Sequence, residues 1–280
     1  MSAHTSFKIG GPADLFASVK SAEETAELIR LARSLGVAYM VMGNGSNMLV
    51  GDGGIRGLVI QIGKNIADVA VDGNMITAGA GAMMSKVAAV AARASLSGFE
   101  PLSGIPGTLG GAVYMNAGAY GGEMKNVVKT VTYIDDNGDL HTVGNAECGF
   151  GYRHSVFSDG GKYIVSAVLE LQVGDERTIR AEMDEYSRRR SEKQPLSQPS
   201  AGSTFKRPEG YFAGKLIQDA GLMGYRIGGA AVSEKHAGFV VNTGGATAED
   251  VLSLIEYIID TVEKKFGVRL EPEVRLVGER

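Results

Sequence analysis

Two glycine-rich stretches concentrate the chemistry-bearing backbone of this chain: Gly43-Asn44-Gly45-Ser46-Asn47 and Gly104-Ile105-Pro106-Gly107-Thr108-Leu109-Gly110-Gly111. Glycine lets main-chain N–H groups come within hydrogen-bond distance of phosphate oxygens, and Ser46 and Asn47 add side-chain donors. Two such cradles, the second leading into a helix start, suggest a diphosphate. Neither is a common nucleotide fingerprint. The first breaks the Gly-x-Gly-x-x-Gly pattern at Met48, and no glycine stretch ends in the Lys-Ser or Lys-Thr of a P-loop. Each loop taken alone is equally a tight structural turn.

Other candidate side chains are isolated. Arg153 and Glu273, far apart in sequence, each read alone as a surface ion-pair member, and Ser203 after Gly202 reads as a turn or cap residue. The run Arg188-Arg189-Arg190 is favoured as a solvated helix face over a phosphate site. The histidines at 4, 141, 154 and 236 lack any clustered ligand spacing, so no metal site is expected. A single cysteine, Cys148, excludes an internal disulfide or multi-cysteine cluster and reads as a small buried side chain in a reducing cytoplasm. With 28 Lys and Arg against 32 Asp and Glu, and no basic stripe, nucleic acid is not an expected partner. No apolar run approaches the ~18 residues of a spanning helix, and residues 1–11 lack a signal-peptide pattern, so neither membrane insertion nor export is expected.

The elements that must position these residues emerge from periodicity. Residues 21–35 read as an amphipathic helix with Ser21 and Glu24 as a capping box and Gly36 as terminator. A strand over 38–42 delivers the chain into the first glycine turn. Strands are expected at 57–62, 67–71 and 75–78, and then an alanine-rich helix over 84–96. The segments 127–134 and 140–143 form a hairpin around Asp135-Asp136-Asn137-Gly138-Asp139, and 163–173 alternates like a further strand. After a helix over 178–190, the Pro- and Ser-rich stretch 194–202 breaks regularity. Beyond it come a short helix over 214–220, strands at 230–232 and 239–242, and a long helix over 248–266. Thr247 and Asp250 cap that helix, Gly267 ends it, and its apolar stripe is Val251, Leu252, Ile255, Ile258, Ile259, Val262 and Phe266.

Several segments, in order, carry a family resemblance. They are Thr5-Ser6-Phe7-Lys8-Ile9-Gly10-Gly11-Pro12-Ala13, the first glycine turn continued through Met48-Leu49-Val50 with Asp52, Gly54 and Gly57, and the second glycine loop through Ala112. Next in the chain are Asn116-Ala117-Gly118-Ala119-Tyr120-Gly121, Tyr152-Arg153-His154-Ser155-Val156-Phe157 and Gly202-Ser203-Thr204-Phe205-Lys206-Arg207-Pro208, then Gly228-Gly229-Ala230 and Glu271-Pro272-Glu273-Val274-Arg275. Together they resemble the UDP-N-acetylenolpyruvoylglucosamine reductases, within the vanillyl-alcohol oxidase superfamily, over nearly the whole chain.

The resemblance implies an α+β fold: a two-lobed FAD-binding domain of the PCMH type over 1–175, with lobes about 1–56 and 57–175. A connecting helix and linker over 176–200 and a smaller α+β substrate-binding domain over 201–280 complete it. It implies FAD as cofactor, NADPH as co-substrate and UDP-N-acetylglucosamine enolpyruvate as the small-molecule substrate. Cofactor contacts are expected from Met42, Gly43, Asn44, Gly45, Ser46, Asn47, Met48, Gly104, Gly107, Thr108, Gly110, Gly111, Asn116, Ala117 and Gly118. Ser203 is expected to donate a proton, and Arg153 to hold the enolpyruvyl carboxylate through its rigid donor fork. Glu273, beside Pro272, is expected to act in protonated form on the same developing charge. Tyr152, Lys206, Tyr211 and Gln218, with Asn242 as a similar guess, are expected to contact substrate. A cytoplasmic monomer is expected.

Two departures qualify the match. His4 stands where relatives commonly carry asparagine, which suggests a trimmed or lost N-terminal segment. Only about 50 residues separate Arg153 from Ser203, so the insertion bearing a substrate-covering tyrosine is absent, as in the shorter branch of the family. The rivals are another flavoenzyme of the superfamily, against which Ser203 and the 271–275 segment argue, and a non-catalytic flavin- or nucleotide-sugar-binding module.

Overall fold

The computed structural model describes all residues, 1–280. Two compact units emerge. Leu15–Asn44 and Gly57–Arg190 form the sheet unit; Met1–Asp14, Gly45–Arg56 and Ser191–Arg280 form the C-terminal unit. This differs from the contiguous division at 175 and 201, because two segments from the first 56 residues join the C-terminal one. The strand Met48–Val50 runs parallel to Arg275–Val277, with Met48 opposite Arg275 and Val50 opposite Val277. The Asp52 carboxylate then accepts the N–H groups of Ala248 (2.8 Å) and Glu249 (3.0 Å) at the first turn of the long helix, where orphan donors and the helix dipole both favour an anion.

The sheet unit is built on five antiparallel strands in the order Leu140–Gly144, Val128–Asp135, Lys162–Glu170, Met75–Gly79 and Val69–Asp72. A three-stranded sheet orders Ala13–Ser18, Ile55–Gln61 and Tyr39–Met42, the last two parallel. The helices Ala22–Ser34, Met84–Arg93 and Leu109–Tyr114 supply Ile29, Val87 and Leu109 to a core with Ile60, Ile76, Phe99, Val131 and Phe157. Cys148 is fully buried there. Its thiol donates to Gly144 O at 3.3 Å, and burial pushes its pKa up to about 11.

Local chemistry explains most boundaries. Ser21 Oγ accepts the Glu24 N–H at 3.2 Å, but the Glu24 carboxylate takes the Lys20 N–H, so the expected capping box closes one residue early. The alanine-rich helix ends at Arg93 and not at 96, because Ser95 turns left-handed (φ 54°) and Leu96–Ser97 pairs with Gln172–Val173. That pairing also splits the expected strand 163–173 at Leu171, whose N–H goes to Asn74 O. The helix before the linker is longer than expected, Glu176–Lys193.

In the C-terminal unit the helices Ala213–Asp219 and Ala248–Phe266 pack with an antiparallel meander of Arg226–Ile227, Ala230–Val232 and Val240–Asn242. The long helix spans the expected residues, with Thr247 and Asp250 bonded reciprocally at 3.0 and 3.1 Å and Gly267 left-handed at its end. Its buried stripe includes Leu254, while Phe266 stays 38% exposed.

Candidate active site

In the C-terminal unit the chain turns left-handed at Gly202 (φ 78°), presents Ser203 to solvent, and re-enters the interior at Thr204. Thr204 holds three strands of chain together. Its N–H donates to Gly238 O (2.9 Å), its hydroxyl accepts the Val240 N–H (2.9 Å), and its carbonyl accepts the Glu273 N–H (2.8 Å). An antiparallel bridge from Phe205 to Pro272 and a bond from Lys206 N–H to Glu271 O (2.8 Å) continue the pairing. The backbones bearing Ser203 and Glu273 therefore lie side by side. Glu273 itself is half-buried, and its carbonyl accepts a 3.1 Å bond from Asn47 Nδ2.

The neighbouring candidates are more open. Lys206 pairs with Glu271 at 3.1 Å, a partly solvated ion pair. Tyr211 and Gln218 are exposed beside and on the helix Ala213–Asp219, and Arg207 stacks over Phe212 at 4.0 Å while its Nε donates to Tyr211 O. Asn242 does not point outward for substrate. It is buried, giving its amide to Phe7 O (3.2 Å) and accepting from Gly244 N–H and Ala246 N–H.

In the sheet unit the two glycine loops meet. A Cβ at Gly43 would fall 2.5 Å from Thr108 Oγ1, so only glycine allows this approach. Met42 is buried before the turn, and Asn44 is exposed with its amide toward Met83 Sδ. The helix start beyond Thr108 is less open than the sequence implies: the N–H groups of Leu109 and Gly110 already donate to Ala82 O and Ala80 O, both at 2.8 Å. Gly107 (φ 116°) shapes the loop, and its carbonyl accepts the Met84 N–H.

Asn116 likewise serves the protein's own framework. Fully buried and left-handed (φ 45°), it donates to Glu123 Oε2 and Gly151 O, both at 2.9 Å, and its carbonyl oxygen accepts the Lys125 N–H. Its side-chain bonds thus go to the protein's own framework, and Ala117 and Gly118 lead into a small hairpin with Gly122–Glu123. The consequence lies at Gly151, the start of the loop carrying Tyr152 and Arg153. Arg153 is left-handed (φ 55°), half-buried, and places its guanidinium 5.1 Å from the exposed Tyr152 ring centre. Ser155, buried, ties the far end of the loop to Tyr114 O at 2.6 Å.

The arginine run divides. Arg188 and Arg189 pair with Glu185 at 2.8 and 2.6 Å on an exposed helix face, as expected of a charge run. Arg190 differs from both. Its Nε and Nη1 are buried without a hydrogen-bond partner, and burial lowers its pKa. A Cβ on Gly104 would lie 3.2 Å from Nη1, so the guanidinium stands against the second glycine loop. Helix spacing carried this signal: Ile179, Met183, Tyr186 and Arg190 recur at intervals of four, three and four residues, a stripe on which Ile179 is buried and Met183 packs on the core. Tyr186 stacks on Tyr120 at 4.7 Å. A buried, unpaired cation calls for an acceptor-rich group, and Arg190 beside a glycine loop fits the phosphates or carbonyls of FAD.

Comparison with known proteins defines first a class. Residues 13–144 match the FAD binding domain family, which makes the chain a flavoprotein. Residues 194–277 match the UDP-N-acetylenolpyruvoylglucosamine reductase C-terminal domain. The reductase of Caldanaerobacter subterraneus subsp. tengcongensis is 52% identical over 280 residues, covering 100% of this chain and 92% of that protein. That of Agathobacter rectalis is 53% identical over 291 residues, with the same coverage. The crystal structure of the reductase from Thermus caldophilus matches with a TM-score of 0.85 at 37% identity, covering 98% of this chain and 96% of that one. The chain belongs to the UDP-N-acetylenolpyruvoylglucosamine reductase family.

Proposed function

We propose that this chain reduces UDP-N-acetylglucosamine enolpyruvate to UDP-N-acetylmuramate for peptidoglycan synthesis, with NADPH as the source of electrons. The observation that carries the reading is the pairing of Thr204 with Glu273, which sets a hydroxyl and a carboxyl on adjoining backbones. Gly43, Thr108, Gly104 and Arg190 would hold FAD. When bound, FAD supplies hydride chemistry, passing two electrons from NADPH to the methylene carbon of the enolpyruvyl ether.

The residues of the chain control the charge that results. Arg153 binds the substrate carboxylate through its two-nitrogen fork, which stabilises negative charge as it grows on the adjacent carbon. Glu273, in its protonated form, donates a hydrogen bond to the same carboxylate oxygens. Ser203 Oγ gives its proton to the carbon bearing the carboxylate, and hydride plus proton complete the saturation of the double bond. Positioned proton donation contributes roughly 10²–10⁴ in rate. Tyr152, Lys206, Tyr211 and Gln218 would orient the sugar and diphosphate. The reading includes a cytoplasmic monomer without nucleic-acid or membrane partners; sedimentation at several concentrations tests the monomer.

Anaerobic mixing of the NADPH-reduced protein with the enolpyruvyl ether tests the reaction. Reoxidation of the flavin with formation of the muramate is expected. A flavin that remains reduced in the presence of that substrate defeats the reading.

A further inference from the structure

We infer that Asn47 is a positioning residue that transmits occupancy of the first glycine turn to the backbone of Glu273; the inference rests on the reductase reading above. Two bonds make the link. Asn47 Nδ2 donates to Glu273 O at 3.1 Å, and Asn47 O accepts the Arg275 N–H at 3.0 Å, so one residue brackets the segment 273–275. From the other side the Glu273 N–H is held by Thr204 O, one residue beyond Ser203. Glu273 therefore hangs between the chain of the proposed proton donor and the end of the turn proposed to hold FAD.

The turn is itself anchored on both sides of Asn47. Gly45 is left-handed (φ 60°) and its carbonyl accepts the Ser6 N–H at 3.3 Å. On the far side, three residues of parallel pairing and the Asp52 carboxylate fix the chain from Met48 to Asp52. A ligand ordering the turn consequently has a direct mechanical route to residue 273. The route needs a side-chain N–H donor at 47, because the group it grips is a carbonyl. Asparagine supplies that donor and the ionised aspartate of the same shape does not. An ångström of misplacement in a reacting group can cost on the order of 10²-fold in rate, so a modest clamp has a large effect on turnover.

Backbone hydrogen exchange on the full chain, with and without FAD, tests the inference. In the unsubstituted protein FAD slows exchange both in 104–111 and in 273–275. In Asn47→Asp and in Asn47→Ala the slowing persists at 104–111 and is lost at 273–275, and kcat falls about tenfold or more while the KM for NADPH is unchanged. The inference is overturned if FAD leaves 273–275 unaffected in the unsubstituted protein, or if 273–275 still slows in either variant. It is equally overturned if the variants lose the slowing at 104–111, since Asn47 would then serve cofactor affinity alone. A protein that shows the exchange pattern but does not reduce the enolpyruvyl ether defeats the reductase reading and leaves the clamp standing.

Discussion

The backbone bearing Ser203 and Glu273 and the loop bearing Arg153 are built by opposite means. Ser203 and Glu273 sit on chains joined by ordinary antiparallel pairing, with Thr204 N–H, hydroxyl and carbonyl all engaged. Arg153 occupies a left-handed turn that would relax by itself, and the Asn116 amide restrains the loop at Gly151 O. Ser203 and Glu273 thus take their placement mainly from main-chain pairing, supplemented at Glu273 by the Asn47 amide, whereas the Arg153 loop is held at its two ends by the side chains of Asn116 and Ser155.

Substitutions can break this contrast. The largest effect is expected from Ser203→Ala: kcat falls by roughly 10²–10⁴, with the thermal midpoint and flavin absorbance unchanged because the exposed hydroxyl supports nothing else. A rate within tenfold of the unsubstituted protein would end the donor role. Asn116→Ala is expected to lose about 2–3 kcal/mol of stability by denaturant unfolding, since it strands buried partners, and to raise KM through a loosened Arg153. Normal stability with raised KM would mean that the clamp acts on the loop alone.

Arg190→Met sharpens the contrast within the sheet unit. FAD affinity, measured by fluorescence titration, is expected to fall about tenfold or more, the value of a hydrogen bond to a charged group. The cofactor-free protein is expected to be as stable or more so, because an unpaired buried charge is removed. A variant that binds FAD normally would remove Arg190 from the cofactor site.

The smallest effect concerns pH. The Glu123 carboxyl is held below its ordinary value of 4.5, first by Lys125 and further by Asn116 and Arg153. A depressed carboxyl stabilises the fold above its unfolded pKa, and that contribution disappears as pH falls below about 4.5 through the folded value. The unfolding midpoint should therefore drop more steeply below pH 4.5 in the unsubstituted protein than in Glu123→Gln. Parallel curves would assign acid sensitivity elsewhere.

Much of the fold was legible where local chemistry decides it. Thr247, Asp250 and Gly267 fix both ends of the long helix, and Asp135–Asp139 marks its hairpin. The strands Met48–Val50 and Arg275–Val277 were not legible, since three residues give no periodicity and their partners lie over two hundred positions apart. For the same reason the contiguous division at 175 and 201 missed the assembly of the C-terminal unit. Ser203, Arg153 and Glu273, to which the proposed reaction assigns roles, stood out only through the order of family motifs. Asn116 carried the motif but spends its bonds on the framework, and Arg190 was hidden among three arginines that charge alone treats alike, although helix spacing separates them.

The buried state of Cys148 has a practical consequence. With its thiol pushed up to about 11 and enclosed in the core, almost none of it is thiolate near neutrality. A cysteine introduced on the surface, for example at Glu209 or Tyr257, would thus be the one thiol that reacts with a maleimide dye. The native sequence can carry a single spectroscopic label at a chosen place without first being stripped of its own cysteine.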